Sequence, residues 1–242
     1  MARLNDRWKV QPHGDLVEVA DGIFTAAGTI QMPLGTFPRR MTVIAIEGGG
    51  SGSLIWSPVP LAEAQMAPIS ALGPVRALVV PNQAHRLDLK AWKVRYPQAL
   101  VITPPDACDM VSQAAPVDAC EDVINDPAVK FELVAGTKAG EFALVVTRDE
   151  GITLILNDIL ANVRHPHGIG AHIMARLLGF GVKRPRTPRP VRRMWVDDPI
   201  AVARQFERWA TLPGLRRIIV SHGDVIDVAP SQALLRAAAD YR

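Results

Sequence analysis

Three apolar runs in this chain break off into residues able to bind a metal, and this pattern constrains the fold more than any other feature. Arg76-Ala-Leu-Val-Val80 stops at Pro81-Asn-Gln-Ala-His85, Ile152-Thr-Leu-Ile-Leu156 stops at Asn157-Asp158, and Arg217-Ile-Ile-Val220 stops at Ser221-His222-Gly223-Asp224. Short runs this rich in Val, Ile and Leu read as buried strands. Buried strands release their last side chains into loops at a sheet end, where sites gather. Two imidazoles and a carboxylate supplied in this way, His85, Asp158 and His222, are a donor set for zinc or iron. The simpler alternative is three unrelated loops whose polar residues hydrogen-bond locally. In that case Asp158 caps a following turn and His222 bonds to it with no ion between them.

A chain of 242 residues, 48% of them hydrophobic, can bury one substantial core, so a single domain over 1–242 is expected, with 1–14 as an N-terminal arm. No apolar run approaches the roughly 18 residues needed to span a bilayer, and the polar start from Met1 to Lys9 lacks the apolar core of a signal peptide. A soluble cytoplasmic protein with no membrane partner is the expectation. Cys108 and Cys120 lack the paired spacing of a zinc ribbon or redox motif and are expected to be free thiols. The net charge of +3 is modest but uneven, because no Asp or Glu occurs from Ile159 to Val196. Within that stretch the basic, proline-rich segment 183–193 reads as a solvated linker between helices, or as a lid that clamps an anion. No aromatic residues alternate with its charges, so stacking on nucleic acid bases is not expected.

Strands are predicted at Leu16 to Val19, Ile23 to Ala27, Met41 to Ile46 and Ser53 to Trp56, with the glycine-rich run from Glu47 to Ser53 as a hairpin turn rather than a phosphate loop. Pro60 to Leu72 reads as a helix, and Arg76 to Val80, Leu87 to Tyr96 and Ala99 to Thr103 read as a strand, helix and strand. Lys130 to Val134, Phe142 to Thr147 and Ile152 to Leu156 suit a meander. Helices follow at Ile169 to Leu178 and Ile200 to Leu212, then a strand at Arg216 to Val220 and a helix from Ser231, its expected cap, to Tyr241. Two β-rich halves, each closed by helices, make an α+β sandwich.

Several segments, taken in order, resemble the metallo-β-lactamase-fold superfamily. They are Glu18-Val-Ala-Asp-Gly-Ile-Phe24, Arg40-Met-Thr-Val-Ile-Ala-Ile46, Gly136-Thr-Lys-Ala-Gly-Glu141 with the strand after it, Leu154-Ile-Leu-Asn-Asp158 and Ile219-Val-Ser-His-Gly223. The resemblance implies an αβ/βα four-layer sandwich in which Asp158 stands for the metal-bridging Asp and His222 for the last metal-binding His. The chain also departs from that pattern. Where members of the family carry His-x-His-x-Asp-His, this chain has Pro81-Asn-Gln-Ala-His-Arg-Leu-Asp88, and Thr137 replaces the His of the middle motif. The implied site is therefore reduced: one zinc or iron ion held by His85, Asp158 and His222, or no ion in a degenerate pocket. Asp224 and Asp88 are the candidate catalytic carboxylates. Asn82, Thr137, His165 and His167 are candidates to support the ligands. Two readings follow, a metal-dependent hydrolase of a small substrate, and a non-catalytic protein that binds a small anion or a protein partner.

Overall fold

A computed structural model of the chain describes residues 4–32, 35–48, 50–138, 140–166 and 168–242. The backbone divides into two compact units, one of residues 1–28 and 40–131, the other of 29–39 and 132–242.

The first unit is built on a sheet of β1 (Val17–Ala20), β2 (Ile23–Met32), β3 (Gly35–Ile46), β4 (Gly52–Trp56), β5 (Val75–Val79) and β6 (Leu100–Ile102), hydrogen-bonded in that order, with the end of β2 and the start of β3 counted in the second unit. β1 pairs antiparallel with β2 and β3 with β4, whereas β5 and β6 join parallel. The glycine-rich run between β3 and β4 is a hairpin connection, as its composition predicts. Asp126 Oδ2 accepts from Glu47 N and Gly48 N at 2.8 and 3.1 Å, and a Cβ on Gly48 would lie 2.4 Å from Asp126 Cα. The carboxylate takes the donors that a phosphate loop would offer to its ligand.

Parallel addition of β5 and β6 needs crossovers, and short helices supply them. The helix predicted from Pro60 shrinks to a 3-10 turn at Glu63–Gln65 and α1 at Ala67–Ala71. Pro68 explains the break, since proline lacks an N–H and fits only a first turn. Between β5 and β6 lie a 3-10 turn at Gln83–Arg86 and α2 at Leu89–Arg95, and α3 (Cys108–Ser112) follows β6. Met41, Val43, Ile55, Leu78, Trp92 and Val101 form the core of this unit.

The cysteines correct the sequence reading, because Cys108 and Cys120 are joined in a disulfide. After α3 the chain turns back along β6, with Asp118 N and Ala119 N both donating to Val101 O. That return brings the two Cα atoms to 6.7 Å, within disulfide reach. Spacing alone did not reveal the return.

The second sheet has the order β10-β9-β8-β7, from β7 (Val129–Leu133), β8 (Phe142–Arg148), β9 (Gly151–Leu156) and β10 (Leu215–Val220). β8 and β9 are antiparallel and β10 adds parallel to β9. α4 occupies Ile169–Leu178 as predicted and stops at Gly179, which adopts a left-handed conformation at φ 73°. The 183–193 segment is not wholly extended, since its end winds into α5 (Arg189–Met194). α6 (Pro199–Ala210) starts where Asp198 Oδ1 accepts from Ile200 N and Ala201 N, and its apolar stripe buries Val202, Phe206 and Trp209. These residues pack with Leu154, Ile218 and Leu234 in the core of the second unit. α7 (Pro230–Ala239) begins one residue before the expected cap: Ala229 is the N-cap and Ser231 lies inside. Pro230 sets this start, because its fixed φ suits the first helical position. Among the described residues no helix is long and apolar enough to cross a membrane.

Candidate metal centre

β9 and β10 run parallel with Leu156 opposite Val220, and Ser221 N still donates to Leu156 O at 3.1 Å. The strands therefore release Asn157-Asp158 and Ser221-His222 side by side at one end of the sheet. Two further bonds tie the loops beyond them, Asn162 N to His222 O at 3.0 Å and Asp224 N to Asn162 O at 2.9 Å. Gly223 allows this approach: its φ is 110°, and a Cβ there would lie 2.1 Å from Asn162 O. The Asp158 side is held from beneath, as Ile159 N donates to Glu141 Oε1 at 3.0 Å and Thr187 Oγ1 to Ile159 O at 2.7 Å.

His222 Nε2 lies 2.8 Å from Asp158 Oδ1, with the two side chains only 12% and 9% exposed. Its other nitrogen, Nδ1, is 2.8 Å from Pro38 O, and the Phe37 ring packs on the imidazole at 4.9 Å between centroids. A carbonyl only accepts, so Nδ1 carries a proton and Nε2 is the nitrogen aimed at the carboxylate. Burial opposes a charged imidazole, and the nearby Arg39 charge opposes it further. The hydrogen bond and charge of Asp158 and the Pro38 carbonyl outweigh both, so the His222 pKa is raised. Metal-free, Asp158 thus favours the protonated form of the imidazole that faces it. Beside it, both amide atoms of Asn157 and Ser221 Oγ are buried without a hydrogen-bond partner among the described residues.

In the first unit, His85 sits in the turn after β5, where Asn82 is fully buried and its Oδ1 accepts from Ala84 N at 2.9 Å. His85 Nδ1 lies 2.6 Å from the hydroxyl of Ser57. Ser57 is 4% exposed and adopts a left-handed φ of 54° immediately after β4, while its N–H donates to Val79 O. A non-glycine residue held there is strained, so the surrounding bonds must fix it. The hydroxyl fixes the orientation of the imidazole through Nδ1.

The remaining candidates spread out. Asp88 is 1% exposed and its Oδ1 accepts from Asn5 Nδ2 at 2.6 Å. Thr137 Oγ1 donates to Val134 O at 2.9 Å. Asp224 Oδ2 faces His165 Nδ1 at 3.3 Å, and the His165 side chain is largely exposed. His167 lies outside the described residues. Sequence reading missed Ser57, Pro38 and Phe37. The only local signal was the abrupt end of an apolar run at Trp56.

The donor chemistry fits zinc or iron: a buried imidazole nitrogen and a carboxylate oxygen already meet through a proton, which a cation displaces when it binds. His222 also has its second nitrogen anchored on a carbonyl, as metal-ligating histidines do.

No family model and no curated protein matches the chain. Solved structures do. A DIM-1 metallo-β-lactamase exposed to ceftazidime superposes with a TM-score of 0.62 at 11% identity, covering 97% of this chain and 100% of that one. A metallo-β-lactamase from Pontibacter korlensis gives 0.59 at 10% identity over 93% and 99%. The metallo-β-lactamase FIM-1 from Pseudomonas aeruginosa in its mono-zinc form gives 0.58 at 14% identity over 96% and 97%. At such identities the likeness speaks for architecture alone, and it agrees with the two sheets and seven helices described above. The chain has the metallo-β-lactamase fold.

Proposed function

We propose that the chain is a hydrolase that uses one zinc or iron ion, held by Asp158 and His222, to cleave a small ester, lactone, amide or phosphate. The observation that carries this reading is the buried Asp158–His222 pair at the register-matched ends of β9 and β10, with Nδ1 anchored on Pro38. The fold likeness supports it, and one structure with that fold is described as a mono-zinc form. When bound, such an ion lowers the pKa of a water and polarises a carbonyl or phosphoryl oxygen. Pro38 fixes the tautomer of His222, Phe37 covers one face of its ring, and the Ser57 hydroxyl orients His85. In this reading Asp224 serves as general base and passes protons to solvent through the exposed His165. Asp88, buried against Asn5, steadies the turn that carries His85.

The test is hydrolysis of p-nitrophenyl acetate, a γ-lactone, nitrocefin and bis-p-nitrophenyl phosphate by protein loaded with zinc or iron(II). The reading expects turnover of at least one, abolished by chelator and by His222→Ala. Turnover insensitive to chelator, or none with a loaded site, contradicts it. The second reading, a non-catalytic protein that binds an anion or a partner, is favoured by one observation: the His222–Asp158 pair satisfies its own charges without an ion.

A further inference from the structure

The second unit carries a basic cleft that Asp158 and His222 do not line, although Asp224 and His165 stand on its wall. A cavity of about 540 Å³ is walled by the loop after β9, Lys183 to Pro185, the turn from Asp224 to Ala229 and the first turns of α7. A neighbouring hollow of about 610 Å³ reaches to the end of α4 and shares Lys183, Arg184 and Arg236 with the first. The groove they make together holds six basic side chains, Arg164, Arg176, Lys183, Arg184, Arg186 and Arg236, against two carboxylates, Asp224 and Asp227.

Its charge is unbalanced. Among the described residues Arg164, Arg176, Lys183 and Arg236 make no ion pair, while Arg184 and Arg186 share the single carboxylate of Asp240 at 2.5 and 3.8 Å. A run of basic residues along one exposed face needs no ligand, because solvent screens it. Here the cations come from four separate elements, the loop after β9, α4, the 183–186 segment and α7, and they converge on one concave wall. Convergent like charges repel and raise the local potential, so an anion in the groove is favoured.

One wall residue indicates the rest of the ligand. Asn162 is 4% exposed, and its Nδ2 donates to Asp224 O at 3.0 Å. Its Oδ1 is a buried acceptor with no partner among the described residues. A buried amide oxygen asks for a donor, which a fully ionised phosphate lacks and a sugar hydroxyl supplies. No Phe, Tyr or Trp lines either hollow, so bases of a nucleic acid strand have nothing to stack on.

We propose that this cleft binds a phosphorylated sugar, free or as part of a nucleotide. The guanidinium forks of Arg164, Arg184 and Arg236, with the Lys183 ammonium, take the phosphate, and Asn162 Oδ1 accepts a sugar hydroxyl. The site does not depend on a metal.

Calorimetric titration at physiological ionic strength with ribose 5-phosphate and, separately, ADP tests this directly. One-to-one binding of at least one probe is expected, and the probe that binds distinguishes a free sugar phosphate from a nucleotide. Losing charged hydrogen bonds in the Lys183→Ala/Arg236→Ala variant should weaken binding roughly tenfold or more. Both side chains are exposed, and if the double variant does not fold the two single variants carry the same comparison. Arg204→Ala, at an exposed position on α6 outside the cleft, should bind as the unmodified protein does. The proposal is overturned if neither probe binds, if the cleft variants bind unchanged, or if citrate competes as well as the phosphates. It is likewise overturned if a short single-stranded oligonucleotide binds while both small probes fail, which would make the cleft a nucleic acid surface.

Discussion

His222 has one nitrogen fixed on Pro38 O and the other turned to Asp158, the contacts that the proposed metal site requires of it. The partner that fixes a ligating histidine commonly contributes a factor of roughly 10 to 100 in metal affinity. Ser57→Ala, which removes the hydroxyl 2.6 Å from His85 Nδ1, is expected to loosen the turn after β5 and to cost about 1 kcal/mol in urea denaturation. An unchanged midpoint would show that this hydrogen bond holds nothing. At this scale the sequence was legible where a side chain ends an apolar run, as Asp158 and His222 do. It was silent on Pro38, which acts through a backbone carbonyl 184 positions away from His222, and on Ser57, whose role depends on a φ that no residue type announces.

Elements were legible where local chemistry is strong. The bounds of α4 follow from Gly179, and the start of α6 from Asp198-Pro199. The helix expected from Pro60, the cap at Ser231 and the state of the cysteines were not legible, because Pro68, Pro230 and the return of the chain along β6 decide them. The disulfide closes a loop of 12 residues, so Cys108→Ser/Cys120→Ser is expected to cost roughly 3 kcal/mol in urea denaturation. An unchanged midpoint would mean the bond constrains nothing. Gly223→Ala tests the joint between the loops after β9 and β10. With a φ of 110° and Asn162 O 2.1 Å from the added Cβ, the backbone must move, and a loss of several kcal/mol together with a disturbed Asp158–His222 pair is expected. Near-neutral stability would show that the joint is loose.

Across the whole molecule the architecture was read from the order of segments rather than from any single motif, and superposition on known structures over nearly the full chain agrees with it. What the order could not supply was the occupancy of the site, since Thr137 and the segment from Pro81 to Asp88 lack the usual imidazoles. The pH dependence of stability bears on the metal-free molecule. The folded pKa of His222 is raised above its unfolded value of about 6.5, so the contribution of its pair with Asp158 is complete below that pH. It is lost as pH rises through the folded value. Chelator-treated protein should therefore lose stability over that interval, and His222→Gln should flatten the loss. A profile identical in both would remove His222 as its cause. The central claim, one ion on Asp158 and His222, is tested most directly by elemental analysis of protein purified without added metal or chelator, beside Asp158→Ala and His222→Ala. About one equivalent of zinc or iron, absent from both folded variants, is the predicted result. Metal equal in all three proteins, or none even after zinc is added, would contradict it.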